Sequence, residues 1–210
     1  MLTHKGTKVI ETERLFLRPA VREDAEAIFR NRTSDPEVTK YLTWPTHENL
    51  EITQWVVGSW LQGYEKNNFY QWLIEPKDLG QPIGTISVVD HNDRIEKCEI
   101  GYCIGKAWWR QGIMSEALGA VIGELFDHVG LSAVTARHDP RNPHSGAVMR
   151  KCGMTYTHTV IQQDRNNCGV CDADYYRITP AQMKKSACKN ARTPFRNPGA
   201  VFVWCSDYLK

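Results

Sequence analysis

Glu99-Ile100-Gly101-Tyr102-Cys103-Ile104, followed by Trp108-Trp109-Arg110-Gln111-Gly112-Ile113-Met114-Ser115-Glu116-Ala117, is the stretch from which the rest of the 210-residue chain is read. The first run is short and apolar-rich, with charge before it and Gly105-Lys106 after it, so it reads as a strand. Beyond Ser115 the apolar residues recur at Leu118, Val121, Ile122, Leu125, Phe126 and Val129, which is helix spacing with Gly130 as a stop. Between strand and helix sits a basic loop. The N–H groups of a helix's first turn have no partner inside the helix, and the dipole adds partial positive charge there. The loop Arg110-Gln111-Gly112-Ile113-Met114 is therefore suited to wrapping a phosphate, with Gly112 letting the backbone come close. An ordinary strand-to-helix turn looks the same by itself, and the continuation of the chain separates the two readings.

Downstream comes a second strand over residues 132–137, then Asp139-Pro140-Arg141-Asn142-Pro143-His144-Ser145, a short helix, and Lys151-Cys152-Gly153-Met154. With these the sequence resembles the GNAT superfamily of acetyl-CoA-dependent N-acetyltransferases, whose signature is a Q/R-x-x-G-x-G/A loop after the fourth strand with Asn-x-x-Ser and Lys-x-Gly-aromatic elements beyond it. Upstream, Thr12-Glu13-Arg14-Leu15-Phe16-Leu17-Arg18-Pro19, Asp24-Ala25, Asp35-Pro36-Glu37-Val38 and Glu99-Ile100-Gly101-Tyr102 match the RimJ/RimL branch, the ribosomal-protein N-terminal acetyltransferases, in order. The resemblance covers residues 10–180.

That resemblance implies an α/β fold: a mixed, mostly antiparallel sheet flanked by helices, with parallel fourth and fifth strands that splay to admit a pantetheine arm. It implies acetyl-CoA as cosubstrate. Backbone groups of Tyr102, Cys103 and Ile104 then face the pantetheine and acetyl portion, and the amides of Arg110, Gln111, Gly112, Ile113, Met114 and Ser115 face the pyrophosphate. Asn142 is expected on the pantetheine amides, Ser145 on the sulfur, and Lys151 on the outer phosphate. Tyr41, Trp44 and His47 are candidate acceptor contacts, with Tyr175 or Tyr176 reaching the groove from the last strand. The bland alternative for the first three is core packing for the aromatics and a surface helix-start position for His47. Two departures stand out: Trp109 replaces the Gln or Arg of many members, and Met114 replaces a small residue.

The residues also carry a chemical argument of their own. An α-amine has a pKa of about 7.7–8.0 and must shed a proton before it attacks, which a modest base acting directly or through water achieves. Glu99 opens the fourth strand on the same face as Gly101 and Cys103 and is the expected base, with His138 the second candidate. The developing oxyanion calls for a fixed donor, and the N–H of Cys103 or of its neighbour is the expected one. No base beside the Cys103 thiol is evident, so a covalent mechanism is not indicated. Ser145 reads equally as a helix N-cap, a role compatible with contact to sulfur.

Formal charge is +2 with both signs interspersed, which gives no case for nucleic acid or a membrane surface as partner. No apolar run reaches the length of a membrane helix and Met1-Leu2-Thr3-His4-Lys5 lacks a signal-peptide core, so the expected location is the cytoplasm. Seven cysteines, an odd number, do not read as a disulfide framework. Cys168 and Cys171 form one close pair without the second pair that zinc wants, so no metal is expected.

The remaining chain reads as a strand over 13–18, a helix from Arg22, a second helix capped by Thr46, strands over 69–75 and 83–89 joined by a turn, and a final strand pair over 154–162 and 173–179. Residues 1–183 are expected to form the catalytic domain and 184–210 a C-terminal extension, with 200–205 a candidate strand. The expected function is acetyl transfer by direct attack of a primary amine, with a protein N-terminal α-amine as acceptor. Alternatives are a small amine (polyamine, amino-acid-like or antibiotic) and a non-catalytic acyl-CoA-binding module. Some members of the family pair, so a homodimer is an allowed partner.

Overall fold

Alternating apolar residues build a single sheet from β1 (Ile10–Glu11), β2 (Leu15–Arg18), β3 (Gln71–Pro76), β4 (Gly84–Asn92), β5 (Lys97–Ile104), β6 (Ala133–His138), β7 (Thr155–Asn166) and β8 (Gly169–Ile178). The computed structural model describes residues 2–190, with side chains through Lys185. Strand order is β1-β2-β3-β4-β5-β6-β8-β7, and every neighbouring pair is antiparallel except β5–β6. The helices are α1 (Asp24–Ile28), α2 (Pro36–Thr39), α3 (Leu50–Gly63), α4 (Ile113–Glu124), α5 (Pro143–Lys151) and α6 (Pro180–Asn190).

Side-chain alternation assigns the two faces. Cys98 and Ile100 of β5 enter the main core with Leu118, Val121 and Ile122 of α4 and Met149 of α5. On the opposite face Ala25 and Ile28 of α1 and Val57 of α3 close over Leu73 of β3. Leu118 and Ile122 are fully buried, each contributing about 1.5–3 kcal/mol by leaving water. The apolar spacing that marked α4 in the sequence is thus the spacing of its buried stripe. The stripe's last residues, Leu125, Phe126 and Val129, lie in a wide helical turn that follows α4, and Gly130 stops that turn in the left-handed region at φ 87°.

β5 and β6 are the splayed pair. Their parallel register runs from Lys97↔Ala133 to Glu99↔Thr135, after which they part. The remaining residues of β5 pair only with β4, and the remaining residues of β6 only with β8. The Trp109 indole N–H donates to Ile104 O (3.0 Å), which satisfies a carbonyl that no strand reaches.

Several local expectations are corrected. The second helix is capped by Asn49, whose side chain accepts from the Ile52 amide, and not by Thr46, whose hydroxyl is held by Thr39. The final strand pair extends well into the polar stretch expected to be loop, because an edge ribbon can hold itself by backbone bonds with no apolar alternation. α6 runs through Lys184, where the expected catalytic domain ended. Residues 200–205 lie outside the described residues.

Candidate active site

The turn into α4 is built around two left-handed residues, Arg110 (φ 61°) and Gly112 (φ 77°). Gly112 occupies the N-cap position without any side-chain cap, and the first helical bond is Glu116 N–H to Gly112 O (3.1 Å). Among the described residues, the amides of Ile113, Met114 and Ser115 therefore carry no hydrogen bond. Two cations flank this end: a Cβ at Gly112 would lie 3.6 Å from Lys151 Nζ and 3.7 Å from an Arg14 guanidinium nitrogen. Arg14 is fixed by Glu116, its Nε donating to Oε2 at 2.6 Å, and it also donates to Gln111 O (3.2 Å). Met114 is buried in the main core, so its bulk points away from the open amides. The Gln111 side chain donates to Ala107 O (2.8 Å), and Ser115 O accepts from the Cys152 thiol (3.3 Å), leaving the Ser115 amide outward.

Beside this end lies the slot between the parted strands. The Gly105 amide donates to Ile83 O (2.9 Å), and the register pairs Thr85 with Cys103 and Ser87 with Gly101. Along a strand, backbone polar groups alternate sides. The amides of Gly101 and Cys103 are thereby turned to β4, and those of Tyr102 and Ile104, beyond the last pairing with β6, to the slot. Cys103 is corrected on this point: its N–H belongs to the β4 ladder, and the donors facing the slot are its neighbours Tyr102 and Ile104. Across the slot the Tyr102 hydroxyl donates to Ser145 O (2.8 Å) and lies 3.0 Å from Ser145 Oγ. Burial pushes the Tyr102 hydroxyl pKa up. Ser145 sits inside the first turn of α5; the N-cap position belongs to Asn142, whose side chain makes no capping bond. His138 is enclosed against α5, its Nδ1 on Asp139 O (2.8 Å) and its buried Nε2 without a partner, which removes it as an accessible base.

The opposite face carries the acceptor-side candidates. Glu99 is ion-paired to Arg137 (2.7 Å), and Arg137 also holds Asp164 (2.7 Å). Burial pushes the Glu99 carboxyl up, while Arg137 pulls it back in part. Trp44 and His47 meet at 5.5 Å between ring centres, and Tyr41 lies under the Lys40 ammonium (5.2 Å). His47 is buried and not on the surface, with Nδ1 on the Thr53 hydroxyl (2.7 Å); burial, then the charge of Arg32, lowers its pKa. The loop holding Tyr41 and Trp44 is strapped to the β7–β8 turn, because the Asn167 side chain donates to Thr39 O (2.8 Å) and Trp44 O (2.9 Å). Tyr176 is corrected: it is buried on the α5 side, its hydroxyl taken by Arg150 (2.7 Å), whereas Tyr175 lies under Arg137 (5.8 Å). Strand alternation turns these adjacent residues to opposite faces.

Comparison with known proteins agrees with this geometry. The family model for the acetyltransferase (GNAT) domain matches residues 14–155. The chain belongs to the GNAT acetyltransferases. The chain is also similar to the uncharacterized N-acetyltransferase YoaA of Bacillus subtilis (strain 168), with 31% identity across 81% of this chain and 96% of that protein. Among solved structures, the RimL ribosomal L7/L12 alpha-N-protein acetyltransferase in complex with coenzyme A superposes with a TM-score of 0.74 at 20% identity, over 82% of this chain and 98% of that one. The microcin C7 self-immunity acetyltransferase MccE in complex with acetyl-CoA and AMP gives 0.74 at 19% identity, over 85% and 98%. At such identities the likeness is one of fold.

As a GNAT acetyltransferase the protein uses acetyl-CoA as its cosubstrate. The cradle fits: three open amides, two flanking cations and a slot with amides turned inward. Sequence reasoning missed Arg14, Glu116, Arg32, Arg137 and Asn167 as parts of the site. Arg14 and Glu116 stood inside quoted motifs without a role, because only the fold reveals that β2 enters beside α4.

Proposed function

We propose that this acetyltransferase acetylates a primary amine by direct attack, and that the α-amine of a protein N-terminus is the acceptor. The observation carrying the transfer reading is the uncapped start of α4 opening beside the parted strands β5 and β6. Acetyl-CoA supplies the activated acyl group as a thioester. The amides of residues 110–115, with Lys151 and Arg14, bind the phosphates, and Asn142 meets the pantetheine amides. The Tyr102 and Ile104 amides stabilise negative charge as it develops on the carbonyl oxygen.

Glu99 takes the amine proton. It stands three residues before Tyr102, roughly 10 Å along the strand, so the proton passes through water. Arg137 leaves carboxylate lone pairs free for that water. On the leaving side, the Tyr102 proton is given to Ser145 O, so the Ser145 hydroxyl donates to the Tyr102 oxygen and turns from that bond to the sulfur when the thiolate departs. Tyr41, Trp44 and His47 bound the acceptor, and the reaction takes place in the cytoplasm.

A second acceptor class, a compact amine, is favoured by one observation: the Asn167 strap joins the hairpin tip to the 39–44 loop, roofing the acceptor side. Thiol release from acetyl-CoA, measured against N-terminal peptides and small amines, tests both. Turnover with peptides alone supports the first reading, and turnover with small amines alone supports the second. No release with any amine, despite tight acetyl-CoA binding, would make the chain a non-catalytic acyl-CoA module.

A further inference from the structure

Arg32 is the most unusual charge in the acceptor face. It is 4% exposed, and it is carried by the wide turn Phe29–Thr33 that follows α1. That turn lies on the end of β5 so closely that a Cβ at Gly105 would come within 2.1 Å of Asn31 O. The guanidinium donates to the Thr85 hydroxyl (2.8 Å), contacts the Cys103 thiol and lies 5.4 Å from the centre of the Trp44 ring. Every one of these neighbours is neutral: burial raises the Cys103 thiol pKa, and burial lowers that of nearby His47. Among the described residues no carboxylate pairs with Arg32, while the half-buried Arg18 and Arg137 each have two.

A buried guanidinium without a counter-charge destabilises a fold unless something completes it. Its position says what does. Cys103, the residue that the guanidinium contacts, stands between Tyr102 and Ile104, whose amides face the slot, so the charge lies over the stretch of β5 that borders the point of acyl transfer.

We propose that Arg32 receives a carboxylate of the acceptor, and that the amine acetylated here carries that carboxylate within a few bonds. Two sources present this chemistry: a free amino-acid-like amine, and an acidic side chain at the first position of a peptide. The guanidinium fork matches the two oxygens of a carboxylate, and Trp44 covers the pair from solvent. The inference rests on the acetyl-transfer reading and names its substrate class.

The test compares matched probes by thiol release with the full chain. Glycine, aspartate and glutamate are set against their carboxamides, and peptides beginning Asp or Glu against those beginning Asn or Gln. In at least one arm kcat/KM should favour the carboxylate on the order of thirtyfold or more, the scale of losing one partner of a buried charge pair. The responding arm identifies the source. Arg32→Met should bring the ratio to near one, mainly through KM, with acetyl-CoA affinity by calorimetry unchanged, and Arg32→Lys should restore part of the preference. Equal use of acid and amide by the wild-type protein in both arms overturns the proposal, as does a preference that survives in Arg32→Met. Because the wild-type comparison decides by itself, a variant that fails to fold does not rescue the idea. Release with neutral amines only would leave acetyl transfer standing and sink the carboxylate.

Discussion

Gly112 holds φ 77° at the N-cap of α4, where a left-handed residue lets the first-turn amides of the helix face outward. Space is not the constraint, since a Cβ there would meet nothing closer than 3.6 Å; conformation is. Gly112→Ala should therefore cost about 1–2 kcal/mol of stability, or relax the turn and weaken acetyl-CoA binding several-fold. Calorimetry and thermal melts read the two effects, and a variant unchanged in both contradicts the cradle. Glu99 gives a second residue-scale prediction. A raised carboxyl must ionise before it can accept a proton, so activity falls as pH drops through a Glu99 pKa that burial holds above its ordinary value. Glu99→Gln should lower kcat by 10²–10⁴-fold and abolish that acid limb. An intact limb in the variant assigns the base elsewhere.

At the scale of elements, the loop between β6 and α5 is set by Asp139. Its buried carboxylate accepts from the Arg141 amide (2.8 Å), the Arg141 guanidinium (2.6 Å) and the Asn166 side chain (2.8 Å), tying the start of α5 to the β7–β8 hairpin. Burial opposes ionisation, but these bonds outweigh it and hold the pKa down to about 2. A depressed carboxylate stabilises the fold above the unfolded pKa of about 4, and the contribution disappears as pH falls through about 2. Asp139→Asn should lower the melting temperature at pH 7, with the gap from wild type closing between about pH 4 and 2. A constant gap across that window contradicts the clamp. The same elements show where sequence reading reached and where it stopped. α4 was legible because its apolar residues repeat at helical spacing, and Gly130 marks the end of the wide turn that continues it. The far half of the β7–β8 hairpin was not, because residues 162–172 are polar and their pairing depends on backbone bonds that leave no side-chain pattern. Asn49 was missed as a cap because Thr46, three residues earlier, offers an equally good capping side chain.

For the whole molecule, the mixed, mostly antiparallel sheet and the parting of β5 from β6 followed from the motif run, since that run carries the family's architecture with it. The open first-turn amides of α4 fall where the motif implies for the same reason, since backbone follows fold. Acceptor-side residues were less legible. Tyr176 and Tyr175 differ by one position, and only the observed register says which face each takes. Arg32 gave no signal at all, because a charged residue in a polar stretch reads as solvated until tertiary packing buries it. The account of the molecule rests on the first-turn amides of α4 and the slot beside them gripping acetyl-CoA. Backbone amide NMR during titration with coenzyme A tests this most directly. The largest shifts should fall on Ile113, Met114 and Ser115, with Tyr102 and Ile104 following and Cys103 moving little. Shifts confined to other parts of the sheet, or no saturable shift at these amides, would contradict it.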